Sequence, residues 1–156
     1  MSNENRVNLF DRWAESYDRA VDAATDFPFV GYDDVMNTIL AKAATGPGMR
    51  VLDMGTGTGK LSERFVAADC EVWGVDFSLK MLEQARRRVP GATLVHADLL
   101  QEFPHYIPTD FDRVVSAYVF HEFDLSTNVA VLTRIAHQHL ASDGFMIIGD
   151  IGFPTA

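Results

Sequence analysis

From Glu4 to Ala23 apolar residues recur every three or four positions (Val7, Phe10, Trp13, Ala14, Tyr17 and Val21), the period of a helix with one buried face. Asp26 to Gly31 holds Pro28 and Gly31 and reads as a break. Val35, Met36, Ile39, Leu40 and Ala43 then mark a second amphipathic helix, which the Gly46-Pro47-Gly48 turn stops. From residue 50 the pattern changes to short apolar runs alternating with helical stretches. Strands are expected at Arg50–Met54, Glu71–Val75, Thr93–Val95, Arg113–Ala117 and, after an Asp143-Gly144 turn, Phe145–Gly149. Helices are expected at Gly59–Ala68, Leu79–Arg88 and Asn128–Leu140. Strand runs that are apolar nearly throughout suit a sheet covered on both faces. The alternation therefore predicts an α/β fold, a mostly parallel sheet with helices on both sides.

Length and charge narrow the picture. A chain of 156 residues fits one domain, 1–156, with N-terminal helices over 1–45 and a βα core over 46–156. Thirteen Lys and Arg against 22 Asp and Glu leave a charge of −9. That balance lacks the basic footprint of a nucleic-acid binder or of a protein drawn to anionic membranes. No apolar run approaches a membrane span, and Met1 to Arg6 does not start a signal peptide, so a cytoplasmic location is expected. Cys70 is the single cysteine, so no intramolecular disulfide forms. His96, His105, His137 and His139 show no metal-ligand spacing, and no metal is expected.

The chemistry concentrates in Val51-Leu52-Asp53-Met54-Gly55-Thr56-Gly57-Thr58-Gly59-Lys60-Leu61, a buried strand running through three alternating glycines into a helix. Glycine admits positive φ and lets a ligand approach the backbone. A Walker A loop fails twice, because Met54 stands where its first glycine belongs and Leu61 where Ser or Thr belongs. The dinucleotide fingerprint fails at its third glycine, where Lys60 stands. The pattern is Asp-x-Gly-x-Gly-x-Gly, and an acid two residues before the first glycine suits a ligand with a cationic amino group better than a pyrophosphate.

With these residues the sequence resembles the class I S-adenosylmethionine-dependent methyltransferases, and among them the small bacterial YrrT-like group. The likeness runs through Phe10-Asp11-Arg12-Trp13-Ala14-Glu15-Ser16-Tyr17-Asp18, the segment Phe29 to Asp34, the glycine turn, and Gly74-Val75-Asp76-Phe77-Ser78-Leu79-Lys80-Met81-Leu82. It continues through Ala97-Asp98-Leu99, Ser116-Ala117-Tyr118-Val119-Phe120-His121-Glu122-Phe123 and Asp143-Gly144-Phe145. It implies a Rossmann-like sheet of order 3-2-1-4-5 and methyl transfer from S-adenosylmethionine to a small-molecule acceptor by direct in-line attack, leaving S-adenosylhomocysteine. An NAD(P)-dependent oxidoreductase and a non-catalytic S-adenosylmethionine-binding module are the competing readings.

The resemblance also implies roles. The turn Asp53, Gly55, Thr56, Gly57 and Gly59 holds the methionine portion. Asp76 accepts from the ribose hydroxyls, the alternative being a helix cap for which Ser78 competes. Phe77 packs on the adenine, and Met81 serves either that wall or the core. Asp98 accepts from the adenine amino group and Leu99 donates from its backbone, the alternative for Asp98 being a helix cap. Carbonyls of Ser116 and Ala117 face the ligand's ammonium. Tyr17 and Tyr32, among the N-terminal aromatics that also include Phe27 and Phe29, face the ligand, whereas Phe10 and Trp13 read as core. His121 is the candidate catalytic residue, a general base or a wall of the pocket. Arg86-Arg87-Arg88 reads as a solvated helix end.

The family's full sheet has seven strands, and this sequence stops soon after the fifth. A shortened form of a longer protein is the expectation. It would leave the edge at Phe145–Gly149 exposed to self-association or covered by the N-terminal segment. Cofactor binding survives in that case, with little or no methyl transfer.

Overall fold

The computed structural model describes residues 3–26 and 29–152, so Phe27 and residues 153–156 lie outside the described residues. Five strands, β1 (Arg50–Met54), β2 (Glu71–Asp76), β3 (Thr93–His96), β4 (Phe111–Ala117) and β5 (Leu140–Gly149), form one sheet of order β3-β2-β1-β4-β5. Every neighbouring pair is parallel. The helices are α1 (Asn3–Trp13), α2 (Tyr17–Asp22), α3 (Tyr32–Ala43), α4 (Lys60–Ala67), α5 (Leu79–Arg88) and α6 (Leu125–His139), with a 3-10 turn at Phe120–Glu122. The fold class is as the apolar pattern predicts, and the strand order as the family resemblance implies. No helix among the described residues is long and apolar enough to cross a membrane.

Successive strand side chains point to opposite faces, and this divides the core in two. Leu52 and Val114 join Val131 and Ile135 of α6 on one face. Val51 and Val115, one position away, join Met36 and Ile39 of α3 and Leu61 and Phe65 of α4 on the other. Burial of both faces is why apolar residues stand next to one another at Val51-Leu52 and Val114-Val115 instead of alternating with polar ones.

Three expectations change. The N-terminal helical period is interrupted: α1 stops at Trp13, and the Ser16 N–H turns back onto the Trp13 carbonyl at 2.9 Å. Trp13 is 43% exposed rather than core. The fifth strand begins at Leu140, not Phe145, so Asp143-Gly144 is no break between elements. It sits in an irregularity of the ladder, where pairing jumps from Phe111↔Leu140 to Arg113↔Phe145. Gly144 permits this, since a Cβ there would lie 2.8 Å from the Phe111 carbonyl oxygen. β5 ends the sheet, with no strand on its outer edge among the described residues. Val35 and Ile39 of α3 pack on the face of β5 at Gly149 and leave that edge unpaired.

Candidate active site

The carboxyl ends of β1, β2, β3 and β4, roofed by α1, α2 and the start of α3, line a cleft that opens to solvent. This is where parallel α/β sheets place ligands, because the strand order reverses between β1 and β4 and the loops diverge.

The glycine turn forms its floor. Gly55, Gly57 and Gly59 have φ of 69°, 56° and 87°, which L-residues adopt only at a cost. The Gly55 and Thr56 N–H groups both donate to the Val75 carbonyl at 2.9 Å, which fastens the turn to β2. Gly59 caps α4 behind the turn, where a Cβ would lie 2.9 Å from Val89 Cγ2. Asp53 is 1% exposed; its Oδ2 accepts from the Thr56 hydroxyl at 2.9 Å and the Ser62 hydroxyl at 2.7 Å. Burial pushes its carboxyl up to about 6, against the opposing pull of those hydroxyls.

Asp76 lines the cleft at the end of β2. Its Oδ1 accepts the Ser78 N–H at 2.8 Å and its Oδ2 the Gly57 N–H at 2.9 Å. The carboxylate thus joins two loops, while Ser78 caps α5 by accepting from Met81 N at 3.1 Å. The competition for the cap resolves in favour of Ser78. Burial also pushes Asp76 up to about 6.

Of the residues singled out in the sequence, Tyr17, Tyr32, Asp53, Gly55, Thr56, Gly57, Asp76, Phe77, Met81, Leu99 and Ala117 line the cleft. Met81 does so while being buried, so its two readings coexist. Gly59, Asp98, Ser116 and His121 are outside that lining. The Ser116 hydroxyl is buried and donates to the Met54 carbonyl at 2.8 Å, joining β4 to β1. Asp98 Oδ1 accepts from the Leu100 N–H at 2.9 Å and from Arg6 Nη2 at 3.3 Å. His121 stands at the rim on the 3-10 turn, its Nδ1 2.7 Å from Asp150 Oδ1 and its N–H 3.0 Å from Asp150 Oδ2.

Other lining residues are given no ligand-facing role by the sequence. Phe10, read as core, lines the cleft and meets Phe77 edge-on at 5.4 Å. Arg6 lies over the same Phe77 ring at 4.4 Å. Tyr118 follows β4 with φ 58°, an uncommon conformation for a non-glycine residue, and stacks on Tyr32 at 4.8 Å. Tyr32 hydrogen-bonds Tyr17, and burial raises all three phenols. Glu122 also faces the cleft, its carboxyl raised by burial. Arg88, read as solvated, donates to the Thr58 carbonyl at 3.1 Å and pairs with Asp18, which itself accepts from the Thr58 hydroxyl at 2.6 Å. α2 is thereby fastened over the turn.

Residues 51–144 match the family model described as a methyltransferase domain. An uncharacterized methyltransferase of Geobacillus kaustophilus is 32% identical over 151 residues, 94% of this chain and 67% of that protein. Others from Anoxybacillus flavithermus (36% identical; 74% of this chain, 53% of that protein) and Bacillus licheniformis (35%; 94% and 68%) give the same picture. The chain thus spans between about half and two thirds of these relatives' length. Among solved structures, the DhpI–SAM–HEP complex superposes with a TM-score of 0.75 at 20% identity, covering 97% of this chain and 68% of that one. A TehB-like SAM-dependent methyltransferase from Corynebacterium glutamicum gives 0.70 at 24% identity, covering 90% and 72%. A Haemonchus contortus phosphoethanolamine N-methyltransferase with S-adenosylmethionine gives 0.60 at 27% identity, covering 74% and 27%.

Proposed function

The chain belongs to the family of methyltransferase domains, and on that premise we propose that it binds S-adenosylmethionine across the ends of β1, β2, β3 and β4 and directs its methyl group to a small-molecule acceptor. Asp76 carries the reading. It is 7% exposed and faces the cleft, and each oxygen is held by one N–H. Each oxygen therefore keeps a second acceptor position, a fixed pair suited to the two hydroxyls of a ribose. Phe77 and Met81 supply a flat apolar wall for the base, with Asp98 and the Leu99 backbone reading its edge. Asp53 and the backbone of Gly55, Thr56 and Gly57 receive the amino-acid end, and the carbonyls of Ser116 and Ala117 complete that pocket. Tyr17 closes it from above.

Bound there, S-adenosylmethionine supplies an electrophilic sulfonium methyl: the acceptor's lone pair forms the new bond as the carbon–sulfur bond breaks. The protein's task is alignment and exclusion of water, which converts an encounter into an in-line approach. Tyr17, Tyr32 and Tyr118 form the wall on the β4 side, where that approach takes place. His121, oriented by Asp150, stands at the rim as the group to take a proton from an acceptor that carries one. A single domain, a cytoplasmic location and self-association through the β5 edge belong to the same proposal.

The test is ligand-dependent stability. S-adenosylhomocysteine at a hundredfold excess over its Kd should stabilise the protein by about 2.7 kcal/mol, and NAD should not. Stabilisation by NAD alone would assign the cleft to an oxidoreductase. Binding without transfer to any acceptor, in the full-length protein as well, would leave a binding module.

A further inference from the structure

We infer that Arg6 occupies the adenine subsite in the ligand-free protein, and that α1 is a strap which must release Arg6 before the nucleoside can seat. The inference rests on the proposed role of Phe77 and Asp98, and it concerns what fills that subsite first.

The Arg6 guanidinium carbon lies 4.4 Å from the Phe77 ring centroid and 5.1 Å from that of Phe123. Its Nη2 is 3.3 Å from Asp98 Oδ1, with both side chains largely buried. Guanidinium is planar, stacks on aromatic faces and donates N–H groups in its own plane. It thus offers Phe77 and Asp98 what an aminopurine offers, a flat face and an N–H donor. The two cannot be there together. A ring between Phe77 and Arg6 needs a contact of roughly 3.5 Å on each side, about 7 Å in all, and 4.4 Å is present.

The same helix makes two further contacts at this corner. Phe10, one turn after Arg6, meets Phe77 edge-on at 5.4 Å. Asp11 accepts the Ser78 hydroxyl at 2.5 Å, at the head of α5. α1 is therefore fastened to the corner between β2 and α5 at three successive points. The plug is imperfect, because Arg6 Nε is buried without a hydrogen-bond partner. A buried donor left unpaired weakens the closed arrangement and favours its replacement by a ligand that satisfies the site.

When only a fraction of molecules is open, the apparent Kd is the intrinsic one divided by that fraction. Arg6→Ala should then bind S-adenosylhomocysteine about tenfold more tightly than the wild type, a change of ~1.4 kcal/mol. Arg6→Lys keeps the charge without the flat face and should fall between the two. Kinetics gives a second readout. Trp13 sits on α1, 5.7 Å from Phe10, and reports the helix in a Trp73→Phe background. With the wild-type Arg6, the rate of the Trp13 signal should level off at high S-adenosylhomocysteine, because opening limits it. In Arg6→Ala it should keep rising with concentration. Equal or weaker binding by Arg6→Ala, with a wild-type rate that never levels off, would make Arg6 a fixed wall and overturn the inference alone. If neither wild type nor variant binds S-adenosylhomocysteine, the cofactor reading fails and this inference with it. Should Arg6→Ala not fold, Arg6→Lys and the wild-type rate profile decide by the same criteria.

Discussion

Asp76 holds the glycine turn from the neighbouring strand: its Oδ2 accepts the Gly57 N–H at 2.9 Å, across 19 residues of chain. One carboxylate thereby sets the height of the cleft floor and presents its remaining acceptor positions above it. Asp76→Ala removes the acceptor for Gly57 and Ser78 together. We expect a loss of roughly 1–3 kcal/mol in stability and a further 10- to 100-fold loss in S-adenosylhomocysteine affinity. Calorimetric titration beside chemical unfolding separates the two. Unchanged affinity would remove Asp76 from the binding site.

Burial raises Asp53 and Asp76 to about 6 from an ordinary 3.8. The folded state therefore holds more protons than the unfolded state between those values. The stability these groups contribute is complete below about pH 4 and lost as pH rises through 6, at most ~3 kcal/mol for each. Asp124 works in the opposite sense: the Thr127 N–H lowers its carboxyl, so its contribution is lost on acidification below the ordinary value. Ligand binding should follow the ionised acids, with affinity for S-adenosylhomocysteine rising from pH 5 to 7.5. Urea unfolding at pH 4.5 and 7 should show Asp53→Asn with a flatter profile than the wild type.

Two glycines of the turn should respond differently to alanine. At Gly55, φ is 69° and a Cβ would lie 2.5 Å from Val119 Cγ2, so Gly55→Ala combines a backbone penalty with a clash. A loss of roughly 2–4 kcal/mol is expected. At Gly57, φ is 56° and a Cβ would meet nothing within 4 Å. Gly57→Ala should cost only about 1–2 kcal/mol in folding while its methyl group crowds the cleft and weakens ligand binding. Equal stability of the two variants would contradict the packing at Val119.

His121 pairs with Asp150 at a partly exposed rim, so His121→Ala should cost less than about 1 kcal/mol in stability. Turnover or ligand affinity in the full-length protein should fall further than folding does. A loss of several kcal/mol with binding and turnover intact would make the residue structural.

The outer edge of β5 presents unpaired backbone, and Phe145 to Gly149 carry no charge before Asp150. Such an edge recruits a second strand. Sedimentation should reveal concentration-dependent association of the 156-residue chain, reduced in Phe145→Glu, whose new carboxylate sits beside Arg113 on the exposed surface. A monomer at every concentration would count against pairing through this edge.

Fold class and the floor of the cleft were legible in the chain itself because their causes are local, whereas the strand order came only with the family resemblance. Two-face burial writes the apolar pairs Val51-Leu52 and Val114-Val115 into β1 and β4. Positive φ writes glycine at 55, 57 and 59, and a helix cap writes Ser78. The break after Trp13 and the start of β5 at Leu140 were not legible: a helical period continues through the former, and a glycine tolerated within a strand looks like a turn in the latter.

What the residues determined alone was thus the placing of strands, helices and the glycine turn, and the setting of Asp53, whose partners Thr56 and Ser62 lie three and nine positions away; Asp76 meets Gly57 only once β1 and β2 pair. Tertiary structure alone decided what stands over that scaffold. Arg6 meets Asp98 across 92 residues, and Tyr118 stacks on Tyr32 from another element. Tyr118 adopts its left-handed backbone without any residue preference announcing it. Contacts of this kind arise from the closing of α1 and α3 over the sheet. No period or spacing along the chain encodes them, because the partners share neither an element nor a turn.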